Sequence, residues 1–262
     1  MTATNTRSGR LKLVGVIGVV AVVAVAAAVW WFLRDDAPEA TNISDAAAQV
    51  TTTVGEGASA DGANGGSTAS DGPAAGGDVS GTWNVDTSIG EFSFEDSTGT
   101  FAGFRVAEEL SGVGSTTAVG RTPEVAGTLE IDGTTVQEAT IAADMTALTT
   151  NDSRRDGRAR DALETDQFPE ATFELTSPIE LGAEATAGDP VAVEAAGDLT
   201  IHGVTKPVTF PLDAQLVDGT IVITGTLDVV FSDYGVELPT APIVLSLDDN
   251  GQIELQLFLT RS

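Results

Sequence analysis

The sequence predicts an all-β, antiparallel domain, a sandwich or a barrel, and three observations carry that reading. Apolar and polar residues alternate along most of the chain from Ser80 onward, the period-2 signature of half-buried strands. Asp-Gly or Asn-Gly pairs at 132–133, 218–219 and 250–251 fall between such runs and mark hairpin turns. Only the segment around 153–163 lacks the alternation, and it reads as one short helix. Antiparallel strands with one apolar and one acidic face close into layered or barrel architectures.

In chain order, residues 1–12 carry Arg7, Arg10 and Lys12, and Leu13 to Leu33 then run 21 positions without a charge. At roughly 1.5 Å per residue that run crosses a hydrocarbon core of ~30 Å. Trp30, Trp31 and Phe32 sit where an interfacial aromatic belt belongs, and the flanking charges place the amino end in the cytoplasm. Residues 13–34 are therefore expected to be a single-pass anchor in the cell membrane with everything after it extracytoplasmic. A cleaved signal peptide competes, because Ala24-Val25-Ala26 and Ala26-Ala27-Ala28 mimic a cleavage site, but the apolar run outlasts an ordinary signal core. Residues 35–79 hold eight acids, no base and few large apolar side chains. Such a stretch cannot offset its ordering entropy and predicts a disordered acidic linker, as a coil about 35–40 Å end to end.

Residues 80–262 form the folded block, with 8 basic against 31 acidic residues. One parity gathers Leu129 with Ile131, another Ile141 with Ala143 and Met145, another Phe173 with Leu175. Ile221, Ile223, Leu227, Val229 and Phe231 share a face, as do Ile253, Leu255, Leu257 and Leu259. Around Gly197–Phe210, Leu199 and Ile201 alternate on one flank and Val208 and Phe210 on the other. Between them, His202-Gly203 and Lys206-Pro207 supply turn chemistry. The helical segment carries Arg154, Arg155, Arg158 and Arg160, half of the block's bases; Asn151, Asp152 or Ser153 could cap it, and Phe168-Pro169 ends it.

A net charge of −27 over the whole chain argues against nucleic-acid partners, because phosphate backbones attract basic patches. No Cys is present, so there is neither a disulfide framework nor thiolate chemistry. One His and no Cys leave nothing for a zinc-type site. Asp248-Asp249-Asn250-Gly251 fits a hairpin turn better than a calcium loop. No nucleophile–base pair stands out, so no catalytic residue is assigned and an enzyme is not expected.

Four fragments, in order, resemble the YceI-like family: Trp83-Asn84-Val85-Asp86 with Ser88 and Phe92; Asn151 through the Arg/Asp-rich helix to Phe168-Pro169-Glu170-Ala171-Thr172-Phe173; Gly197 to Val208; and Phe231-Ser232-Asp233-Tyr234-Gly235. Many members carry an early His near where Phe101–Val106 stands, whereas this chain has only His202. The resemblance implies a lipocalin-like antiparallel barrel outside the cytoplasmic membrane. Its ligand would be an isoprenoid lipid, a polyisoprenoid or quinone, with no other cofactor. An eight-stranded closed sheet is wide enough either to fill with side chains or to hold one ligand.

Ligand contacts are expected from Phe92, Phe94, Phe101, Phe104, Phe168, Phe173, Leu199, Ile201, Phe210 and Phe231. Phe92 and Phe94 share a parity and should face one way; Phe101 and Phe104 should not. Arg154, Arg155, Arg158 and His202 are candidate head-group contacts, although a lone turn His more often binds a backbone carbonyl, and Arg helices often only pair with surrounding acids. The contrasting reading is a surface-tethered stress or interaction module whose barrel is packed solid, with an unidentified protein partner.

Overall fold

The computed structural model describes residues 37–56, 77–112, 114–238 and 244–262. The expected membrane anchor at 13–34 and, of the expected linker, residues 35–36 and 57–76 lie outside the described residues. No helix among the described residues is long and apolar enough to cross a membrane.

Eight antiparallel strands close a ring. Their order is β1 (Gly81–Val85), β4 (Val125–Asp132), β5 (Thr135–Asp144), β7 (Glu170–Leu175), β9 (Val191–Ile201), β10 (Val204–Val217), β11 (Thr220–Val230) and β12 (Val244–Arg261). β12 then pairs back onto β1. Closure gives every strand of the ring a partner on both sides over at least part of its length. β12 is long enough to serve two neighbours: Leu259 to Arg261 face β1, while Val244 to Gln256 face β2 (Phe101–Leu110). Beyond β2 lie β3 (Gly114–Thr122) and β6 (Thr149–Thr150), so one end of the barrel is walled by β2, β3 and β6. The two-residue β8 (Ile179–Glu180) adds to β5.

The alternation pattern points inward as its parity requires. Leu129, Ile131, Ala143, Ile221, Ile223, Leu257 and Leu259 form one buried cluster with Trp83, whose indole N–H donates to the Val79 carbonyl at 2.8 Å. Val229, Phe231, Leu199, Ile201 and Val106 belong to a second cluster towards the other end.

Two expected turns close hairpins. Asp218 and Gly219 (φ 48° and 81°) join β10 to β11, and Gly133 (φ 62°) joins β4 to β5. The connection between β9 and β10 is tighter than expected. Only His202 and Gly203 (φ 51° and 71°) separate Ile201 from its partner Val204, a two-residue turn with both residues left-handed. A side chain at 203 would be strained by that φ and would also strike the Phe168 ring. Lys206-Pro207 is strand, not turn. Pro207 is tolerated because β10 pairs with β11 only from Leu212 onward, leaving 204–211 bonded on one side. The third expected turn is a correction too. Asp248 to Gly251 stay within β12, as a register shift between Leu247 and Gly251. There the Asp248 carboxylate accepts from Asn250 and that of Asp249 from Ser232, an irregularity held by side chains rather than a reversal.

The expected helix is present as α2 (Asp156–Ala162), without the expected cap. Asn151 instead bonds to β3 through the Val119 N–H and the Thr117 carbonyl. Asp156 accepts from the Thr150 amide and hydroxyl, and Arg160 donates to the Leu148 carbonyl at 2.8 Å. These bonds tie α2 across the barrel end. A further short helix, α3 (Glu184–Ala187), precedes β9.

The expectation of a disordered linker over 35–79 needs correcting at its start. Ile43–Glu56 is a helix, α1, capped by the Asn42 side chain accepting from the Asp45 N–H. Its Ala46 and Val50, four apart, pack on Val217, Val222 and Phe258 on the outside of β10, β11 and β12. Composition concealed this because Ala and Val are small, yet their i, i+4 spacing is an apolar stripe. The barrel exterior supplies the missing partner surface.

Candidate functional site

Two hollows lie within the barrel. The larger, about 360 Å³, sits at the end crossed by α2, between β2, β3 and the connection from β11 to β12. Its walls are apolar: Phe104, Val106 and Leu110 from β2, Ala118 from β3, Phe231 and Val236 beyond β11. The smaller, about 140 Å³, is enclosed by the ring itself, with Leu129, Ile141, Phe173, Leu199, Phe210 and Leu257 among its walls. One packed cluster supplies walls to both: Phe104 and Phe231 on one side, Leu199, Phe173 and Ile253 on the other. Phe104 meets Phe231 edge-on at 6.2 Å, and Phe173 meets Phe210 likewise at 6.2 Å, the preferred aromatic arrangement. The interior is therefore not packed solid.

Of the residues expected to touch a ligand, Phe104 and Phe231 line the larger hollow, and Phe173, Leu199 and Phe210 the smaller. Ile201 is buried in the shared cluster without lining either. Phe92, Phe94 and Phe101 lie outside the barrel. Residues 86–100 form a loop with a single bridge, Ser93 to Thr98, so strand parity does not govern Phe92 and Phe94. Phe92 packs edge-on to Phe101, whose ring lies 4.3 Å from the Arg121 guanidinium. Phe101 opposes Gln256 on the outward parity while Phe104 points in, as their odd spacing requires. Phe168 lines neither hollow; it packs against His202 at 4.9 Å.

His202 does not reach either hollow. Its left-handed turn position places Nδ1 3.2 Å from the Tyr234 carbonyl, where a ring N–H donates, and Nε2 3.4 Å from Glu164. It pins the β9–β10 turn to the 3₁₀ turn Phe231–Tyr234.

The three arginines do converge on the larger hollow. Arg154 is held by Asp152 through a bidentate pair at 2.9 and 2.7 Å. Arg154's hydrogen bond is the main cause that keeps the Asp152 carboxyl below the usual carboxylate range. Arg155 lies 2.6 Å from Glu108. Arg158 is exposed and has no ion-pair partner among the described residues. Glu108 is the residue that sequence reasoning missed. It shares the inward parity of Phe104 and Val106, so an acid on an apolar face was the available signal. Its side chain is 4% exposed, and it also accepts from the Thr116 hydroxyl at 3.0 Å.

Among the described residues no group of three or more His, Asp or Glu side chains could hold a metal ion. The site can thus enclose an apolar chain and present a small polar cluster at its mouth.

Comparison with known proteins agrees with this architecture. A polyisoprenoid-binding domain from Saccharophagus degradans, implicated in plant cell wall breakdown, superposes with a TM-score of 0.52 at 21% identity, covering 69% of this chain and 98% of that one. At that identity the likeness is one of fold. Protein YceI of Shigella flexneri is 38% identical over 82 residues, and a UPF0312 protein of Vibrio parahaemolyticus 33% identical over 82. Those stretches are 30% of this chain and 38% and 39% of the relatives' lengths. Residues 83–259 match the family model of the YceI-like domain, and the chain belongs to the YceI-like family.

Proposed function

We propose that the barrel holds an isoprenoid lipid, with its tail in the apolar hollows and its head at the mouth beside α2, and that residues 13–34 keep it at the outer side of a cell membrane. The observation that carries this reading is the larger hollow, apolar in its depth with charged groups only at Glu108 and the α2 rim. Its size fits the lower range of small-ligand sites, about 300–1,000 Å³. A hollow of about 150 Å³ takes one benzene, so on that scale the two together accept about three prenyl units. The similarity to a domain described as polyisoprenoid-binding supports the ligand class. Each CH₂ taken from water is worth about 0.8 kcal/mol, but transfer from a bilayer into an apolar hollow is nearly neutral. Loading therefore belongs beside a membrane, and specificity falls to shape and head group. No catalytic step is inferred.

The test uses the full chain purified in detergent. Organic extraction and mass spectrometry should find a prenyl lipid with the wild type and little with Ala118→Phe, which fills the larger hollow. Bulk phospholipid carried by both should be equal. Overpacking of this kind costs about 1–3 kcal/mol, so the variant should still unfold cooperatively. Equal prenyl lipid in both proteins would remove the proposal.

A further inference from the structure

Glu108 is a buried carboxylate in an apolar wall, and its surroundings decide which head groups the mouth can accept. Its Oε1 is engaged by Arg155 at 2.6 Å and by the Thr116 hydroxyl at 3.0 Å. Its Oε2 accepts no hydrogen bond from any described residue, although the carboxylate is among the groups lining the hollow. Arg155, 25% exposed, thus has its charge spent on Glu108, and Arg154 is spent on Asp152. Arg158 alone is uncommitted among the described residues, and it stands in solvent, where screening weakens it.

From this geometry we propose that Glu108 is the head-group selector of the barrel: with Arg155 it admits neutral heads bearing a hydroxyl, a prenol or a quinol, and rejects prenyl phosphates. The inference rests on the lipid-holding reading above. A hydroxyl can donate to the open Oε2 and accept from the Arg155 guanidinium, satisfying an acceptor-only and a donor-only group together. A phosphate oxygen can take a free Arg155 N–H as well, but it sets a second anion beside the buried Glu108 carboxylate with no proton to offer the open Oε2. The apparent surplus of positive charge on α2 is therefore not an anion site.

The experiment compares farnesol with farnesyl phosphate, one tail with two heads, each displacing a fluorescent apolar dye from the full chain in neutral detergent. The alcohol should bind the wild type more tightly, by about tenfold or more. Glu108→Gln frees Arg155 and should shrink that ratio to about twofold or invert it. Arg155→Gln leaves the carboxylate without its counter-charge and should widen the ratio, an arm that stands even should the first variant fold poorly. Tighter binding of the phosphate to the wild type, or a ratio unmoved by both substitutions, overturns the selector. Equal binding of both lipids to the wild type also removes it while leaving lipid holding intact. Should neither lipid displace the dye, the lipid-holding reading falls and takes the selector with it.

Discussion

Arg121 projects from the outer face of β3 yet is fully buried, together with Glu254 on β12, 2.7 Å away. The two are joined across Gly103, which pairs with both in register. A Cβ at Gly103 would meet the Gly120 carbonyl and the Arg121 stem, so any side chain there displaces the bridge. Arg121 also donates to the carbonyls of Phe94 and Glu39 and to the Ser97 hydroxyl, gathering the 86–100 loop and the amino-terminal segment onto the barrel. Removing one partner of a buried pair strands the other, at about 3–5 kcal/mol. Arg121→Met should therefore lower the urea-unfolding free energy by about that much. Adding Glu254→Leu should recover part of it, but not all, since the two carbonyls still lose their donor. A loss under about 1 kcal/mol would mean that Glu254 is served by Arg105, 3.6 Å away, and that the clamp is incidental. Nothing in the strand alternation foretells this pair. Glu254 falls on the polar parity of β12 and reads as acidic exterior, because the covering segments come from far away in the chain.

At the scale of elements, hairpin chemistry was the most legible feature. His202-Gly203 and Asp218-Gly219 adopt the left-handed pairs that two-residue turns need. Asn250-Gly251 carries the same letters but serves as an irregularity in a continuous strand, since local propensity does not say whether a reversal or a bulge absorbs the extra residues. α1 was illegible for a different reason. An Ala-rich, acidic stretch has no fold of its own and gains one only by covering the outward-facing Val222 and Phe258. A polar group at Val50 would be buried without a partner, at about 2 kcal/mol or more. Val50→Asp should therefore lower the thermal midpoint and expose α1 to protease, while Thr51→Asp, on the solvent side, should leave both unchanged. Equal midpoints for wild type and V50D would mean that α1 adds nothing to the domain.

For the whole molecule, the antiparallel sheet followed from parity and turns and its closure into a barrel only from the family resemblance, whereas the split of its interior into two hollows depends on how large side chains meet in three dimensions. Phe104, Phe173, Phe210 and Phe231 were legible as wall residues through strand parity; Phe92 and Phe94 were misplaced because a loop borrowed the look of a strand. Electrostatics also act globally. Hydrogen bonds from Ser88 hold the Asp86 carboxyl below its ordinary range, as Arg154 does for Asp152. A carboxyl lowered in the folded state contributes stability that is complete above its unfolded pKa, about 3.9, and is lost as pH falls through the folded value. The thermal midpoint should thus hold from pH 7 to about 5 and drop below about 4, with Asp86→Asn and Asp152→Asn together flattening the drop. Protonation also relieves self-repulsion from the −27 net charge; a midpoint that climbs steadily to pH 3 would mean that this relief outweighs the lost hydrogen bonds.

The docking of the amino-terminal segment also sets a length. Pro38 is buried and the Glu39 carbonyl is bonded by both Ser97 and Arg121. With Leu33 at the edge of the bilayer, as proposed, five peptide steps reach Pro38, at most about 17 Å when fully stretched. A 45-residue thread would let the barrel wander through the surrounding fluid; on that proposal this one would moor its flank against the headgroups. A lipid would then change hosts across a short stand-off, without a swim through water.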